Sequence, residues 1–137
     1  MGTMQNIYRA LSDRLLTAGF PTDDIAWPNA PYTPVQQRPF LSVQMSGYNR
    51  RPIGRGANAT IEHRGTYQIS VYHPAGTGMD EVAAAVDTLV DHFRRGETLT
   101  SGGSNVLIEV PSPTAPLIQS DWVHVPVVVQ WMCYEYP

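Results

Sequence analysis

The apolar positions switch between two periods along the chain, and the switches mark the elements. From Thr3 to Ala18, Met4, Ile7, Tyr8, Leu11 and Leu15 recur at helical spacing, while Gln5, Arg9, Asp13 and Arg14 fall on the other side. This predicts an amphipathic helix with Thr3 as its cap and Gly19 and Pro21 as its end. A short extended piece is expected around residues 25–27. From Phe40 to Met45 the period drops to two, with Leu41, Val43 and Met45 on one face. The longer alternation runs from Thr60 to His73. Ile61, Tyr67, Ile69 and Val71 share one face, and Thr60, Glu62, Thr66, Gln68, Ser70 and Tyr72 the other. Gly65, in the middle, predicts a bulge or bend.

Helical spacing returns in Val82, Val86, Leu89, Val90 and Phe93, with Ala83, Ala84 and Ala85 expected to allow close approach to a sheet. Thr77 or Gly78 is the expected cap. Asp80 and Glu81 suit the positive end of this helix, Arg94 and Arg95 suit the other, and Gly96 stops it. Short strands at Thr98–Thr100 and Asn105–Val110 then flank a tight turn, Ser101-Gly102-Gly103-Ser104. The last strand, Trp122–Cys133, places Val123, Val125, Val127, Val129 and Trp131 on one face, and Pro126 on the other predicts an edge position or a bulge. The order helix, strands, helix, strands implies an α+β domain: an antiparallel sheet with two helices on one face. A doubly wound parallel fold needs more crossover helices than this chain offers.

Between these elements lie two irregular passages. Trp27-Pro28-Asn29-Ala30-Pro31-Tyr32-Thr33-Pro34, running on to Pro39, is an ordered connection, because proline fixes the backbone and removes donors. What precedes it is too short to fold alone, so residues 1–137 form one domain. Gly47–Asn58, rich in glycine and arginine, reads as the tip of a long protruding hairpin or loop.

Composition adds mainly exclusions. With 42% hydrophobic and 15% charged residues, the chain belongs with folded domains and not with disordered ones. A net charge of -3 gives no overall positive field for nucleic acid, although all nine basic residues are arginine. The single cysteine, Cys133, rules out an internal disulfide and a multi-cysteine metal site. No apolar run approaches the ~20 residues needed to span a bilayer. The N-terminus lacks a basic stretch leading into an apolar one, which predicts a protein made and kept in a cytoplasm.

Candidate chemistry is sparse. His63, His73, His92 and His124 lack metal-ligand spacing, but His63, His73 and His124 with Asp121 could converge as a zinc or general-base site, the arrangement of a small metal-dependent hydrolase. Asp87 and Asp91 are one helical turn apart, a spacing routine on solvated faces. The most suggestive feature is Arg50, Arg51, Arg55 and Arg64 beside Tyr48. It reads as a phosphate-contacting arm, as a clasp between subunits, or as a solubilising loop.

Several segments, taken in order, resemble the tail-terminator-like family of bacteriophage structural modules. Trp27 to Pro34 fits its Trp-x-Asn-x-Pro-aromatic-Thr-Pro passage, and Pro39-Phe40-Leu41 its Pro-aromatic-Leu strand start. Gly65 to Val71 followed by Pro74 to Gly78 is similar to its Gly-x-Tyr-Gln strand ending in Pro-x-Gly-x-Gly. Phe93 to Leu99 resembles its helix exit, and Trp122 to Val128 its last strand. The resemblance implies an α+β subunit of a ring, typically a hexamer, that docks on the tail tube protein, stops its polymerisation and presents a surface to head-tail connector proteins. It implies no catalytic residue, no cofactor and no metal, a place in the virion tail, and DNA met only in passing through the ring. The interface residues then expected are Tyr48, Arg50, Arg51, Arg55 and Arg64. Another neck component, such as a head-completion or stopper protein, is the nearest rival.

Overall fold

The computed structural model describes residues 2–137. Its elements, in chain order, are α1 (Thr3–Leu16), β1 (Ile25–Ala26), β2 (Phe40–Ile53), β3 (Thr60–Pro74), α2 (Asp80–His92), β4 (Thr98–Ser101), β5 (Ser104–Pro113), β6 (Leu117–Gln119) and β7 (Trp122–Glu135). The strands form one sheet in the order β1-β2-β3-β7-β5-β4, with β6 also on β7. Every pairing is antiparallel except β1 with β2. This is the expected α+β class, a mostly antiparallel sheet with two helices.

The two strongest alternations pair with each other at the centre. β3 and β7 run side by side from Ile61↔Glu135 to Pro74↔Trp122. Tyr67, Ile69 and Val71 thereby meet Val129, Val127 and Val125 on one face, and Trp131 lies opposite Gly65. The helices cover that face with Ile7, Leu11 and Leu15 from α1 and with Val82, Val86 and Leu89 from α2. Each large apolar side chain fully buried there contributes roughly 1.5–3 kcal/mol. Polar ties fix the layers in register. The Arg14 guanidinium donates to the His92 carbonyl at 2.9 Å and reaches Glu97 at 2.7 Å, joining α1 to the exit of α2.

Five local expectations give way to tertiary structure. Met4 is 59% exposed, and the buried face of α1 instead includes Asn6 and Ser12. The Asn6 amide nitrogen donates to the Gly102 carbonyl and the Ser104 hydroxyl, while its Oδ1 is buried without a partner, and Ser12 bonds the Tyr67 hydroxyl at 3.0 Å. Neither helix has a side-chain cap: Gly2 and Met79 occupy the cap positions, and the Thr77 hydroxyl turns back to the Pro74 carbonyl. Ala83 and Ala84 face solvent, and only Ala85 packs against the core.

The other two corrections concern the sheet. Pro126 lies on an interior strand, not an edge. Its carbonyl accepts from the Thr114 N–H at 2.9 Å, on the side where β6 and β5 leave a gap along β7. A strand residue's N–H and C=O point the same way, so the missing donor falls in that gap and costs no ladder bond. The bulge falls on the strand opposite Gly65. The β2–β3 register slips between Ser46 and Asn49, where Gly47 adopts φ +61°. Gly65 serves instead to admit the Trp131 ring, since a Cβ there would sit 2.8 Å from Cζ2.

β2 also continues through most of the stretch read as a loop, pairing with β3 out to Ile53↔Thr60. β7 flanks β3 as far as Ile61↔Glu135, which leaves residues 54–59 as the part that extends past the ladders. Beyond its two bonded positions with β1, the outer edge of β2 carries the bulge, Arg50, Arg51 and Pro52, all of which discourage pairing with another strand.

Gly65→Ala is expected to lose about 1–3 kcal/mol through overpacking against Trp131. Urea unfolding reads this as a lower midpoint with an unchanged slope, and an unchanged midpoint would show that the ring has room to move.

Candidate functional site

The sheet has two ends of unlike chemistry, and the register decides what each one holds. One end gathers the start of β2, the end of β3 and the start of β7, as the pairs Phe40↔Tyr72 and Pro74↔Trp122 require. The other gathers the β2–β3 tip and the end of β7.

At the tip end, the five expected interface residues do not form one patch. Arg51 pairs across the strands with Glu62, and Arg64 with both Glu62 and Glu109, at 3.0 to 3.1 Å. Glu62 is 5% exposed; burial pushes its carboxyl up, but the hydrogen bonds from Arg51 and Arg64 prevail and hold it below the ordinary glutamate value. Tyr48 follows the bulge onto the core face, where it packs edge-on against Trp131 and its hydroxyl lies 2.6 Å from His63 Nδ1. The other ring nitrogen, Nε2, is 2.8 Å from Glu135 Oε1. A carboxylate only accepts, so in the neutral ring Nε2 carries the proton and Nδ1 accepts from Tyr48. Hydrogen bonding to His63 holds the Glu135 carboxyl below its ordinary value. Arg50 and Arg55 remain: both are exposed, and among the described residues neither makes an ion pair. They sit around Ile53, which is 46% exposed.

The histidines do not converge. His63 lies in this network, while His73 sits at the opposite end of β3, with Nδ1 3.9 Å from Glu81. His124 pairs with Tyr72 and stacks on its ring at 4.6 Å, on the sheet face away from the helices. The zinc or general-base arrangement with Asp121 is therefore not assembled. Among the described residues no group of three or more His, Cys, Asp or Glu side chains gathers as a metal site. Cys133 is buried, which pushes its thiol up and away from reactivity.

The opposite end holds what the sequence did not disclose. A cavity of about 290 Å³ opens there, floored by Phe20, Pro21, Phe40, Leu41 and Val71. Asp24 and Arg38, paired at 2.7 Å, form part of its wall, together with His73. An open groove of about 710 Å³ at the same end is lined by Gln36, Gln37, Thr77, Asp121 and Trp122. Acidic groups dominate this end, with Asp23, Asp24, Asp80, Glu81 and Asp121 against Arg38. No helix among the described residues is long and apolar enough to cross a membrane.

Fold and surface together describe a small α+β domain with a cationic tip at one end and an acidic, cavitied end at the other. A family model described as phage tail terminator protein matches residues 6–131, nearly the whole chain. The chain belongs to that family. Eight chains among solved structures also match, and one of them superimposes with a TM-score of 0.74 at 22% identity, covering 100% of this chain and 99% of its own. That likeness shows the shared fold. No curated protein matches the chain.

If Glu62 anchors the tip strands through Arg51 and Arg64, Glu62→Gln will lower the urea midpoint at pH 7. The carboxyl is depressed in the folded state, so its stabilisation is present above the unfolded value of about 4.3 and is lost as pH falls through the folded one. The two proteins should therefore converge in acid, and a gap that persists there would place the effect elsewhere.

Proposed function

We propose that this chain closes the end of a phage tail tube. Copies assemble into a ring, expected to be a hexamer of about 91 kDa from six 15.2 kDa chains. The ring docks on the last ring of tail tube protein, stops its polymerisation, and offers its other face to the head-tail connector proteins. The carrying observation is the match to the terminator family across residues 6–131.

On this reading the protein is a structural part of the virion tail and not an enzyme. It needs no cofactor, and DNA only passes through the ring. Arg50 and Arg55 carry the tip's contact with a neighbouring protein, while Tyr48, Arg51 and Arg64 hold the strands that present it. Desolvated arginines beside an apolar anchor fit the composition of protein interfaces.

Titration of the chain into polymerising tube protein tests the proposal. Tubes measured by electron microscopy should shorten as the ratio of chain to tube protein rises, and unchanged lengths would contradict it. Arg50→Ser with Arg55→Ser should raise the concentration needed for half-maximal capping about tenfold, equivalent to ~1.4 kcal/mol. Wild-type capping by this double variant would remove the tip from the interface.

A further inference from the structure

The small apolar cavity lies at the opposite end of the β2–β3 ladder from the tip, and its apolar floor and the acids near it complement that tip. Its floor is apolar, made by Phe20, Pro21, Phe40, Leu41 and Val71, and it is roomy enough at about 290 Å³ for one branched aliphatic side chain. Asp24 in its wall is already paired with Arg38 at 2.7 Å, and the acids beyond that pair are Asp23 and Glu81, whose side chain is 81% exposed and reaches toward His73. His73 lines the cavity, is 8% exposed, and leaves Nδ1 without a hydrogen-bond partner. A buried polar atom left unsatisfied is costly, and a polar group arriving from outside would relieve it.

The tip offers what this cavity lacks. Ile53 is a half-exposed branched aliphatic residue at the end of β2, followed by Gly54 and Arg55, and Arg55 has no ion pair among the described residues. The two features lie at opposite ends of the long β2–β3 ladder, so one molecule cannot bring them together. Edge-to-edge strand pairing is the competing way to join copies, and the bulge, arginines and Pro52 on β2 oppose it.

We propose that the cavity between Phe20 and His73 receives the 53–56 tip of a second copy of this chain, with Ile53 on its apolar floor and Arg55 near Asp23 and Glu81. This rests on the ring reading and supplies its joint. The contact is heterologous, using two different patches on each copy; such contacts give a ring when the rotation between copies closes and an open filament otherwise, and the ring reading requires closure. The apolar anchor supplies affinity, and the flanking charges fix orientation and speed encounter.

Cross-linking in the full chain tests the joint. Ala57→Cys and Thr22→Cys place one thiol beside the tip and one beside the cavity-lining Pro21, both on exposed residues outside the proposed contact, while Cys133 stays buried. With a short bis-maleimide, each single variant carries one accessible thiol and can reach no further than a dimer. The double variant should give a ladder on denaturing gels rising to the closed ring. If native mass shows wild-type rings but the double variant stops at dimers, the tip docks elsewhere and the proposal is overturned while the ring stands. If the wild-type chain is monomeric under the same conditions, the ring reading fails and the joint fails with it.

Discussion

The ladder between β3 and β7 places everything else in this molecule. It is long and unbroken, and its inner face is almost wholly branched aliphatic and aromatic from Tyr67 to Val71 and from Val123 to Trp131. A shift of one residue would turn that face to solvent, so the register is strongly fixed. The two helices close over it, β2 and β5 extend it on either side, and the close approach of Trp131 to Gly65 pins its middle. The same register sets Glu62 between Arg51 and Arg64 and brings His63 to Glu135.

A rigid ladder of this length also keeps its two ends apart. The cationic tip and the acidic cavity are separated by the full run of β2 and β3, and neither can satisfy the other within one chain. That arrangement suits a subunit whose unmet chemistry is completed by neighbours. Membership of the tail terminator family gives the arrangement its setting.

Much of the fold could be read directly from the sequence, because the elements with the cleanest period lie in the core. The core face of the two long strands, Tyr67 to Val71 and Val123 to Trp131, is buried as read, as is the helical stripe of Val82, Val86 and Leu89, although Glu62, Ser70 and His124 on the other face are buried too. What could not be read depends on partners remote in sequence. Asn6 looks like a solvent residue until Gly102 and Ser104 supply its bonds, and Ser12 until Tyr67 does. Pro126 reads as an edge marker unless the gap between β5 and β6 is known. The arginines around the tip read as one cluster, yet cross-strand register commits Arg51 and Arg64 to Glu62 and sends Tyr48 to the core face. The cavity was invisible because three separate segments build it, residues 20–24, 38–41 and 71–73. The tail role was legible only as a resemblance spread over the whole chain; no single motif carries it.

The central claim is that this chain ends the growth of the tail tube. The most direct measurement is tail length by negative-stain microscopy after deletion of its gene from an inducible phage that encodes it. The account predicts overlong tails without heads. Tails of normal length left unjoined to heads would make the chain a neck protein instead, and complete infectious particles would contradict the account altogether.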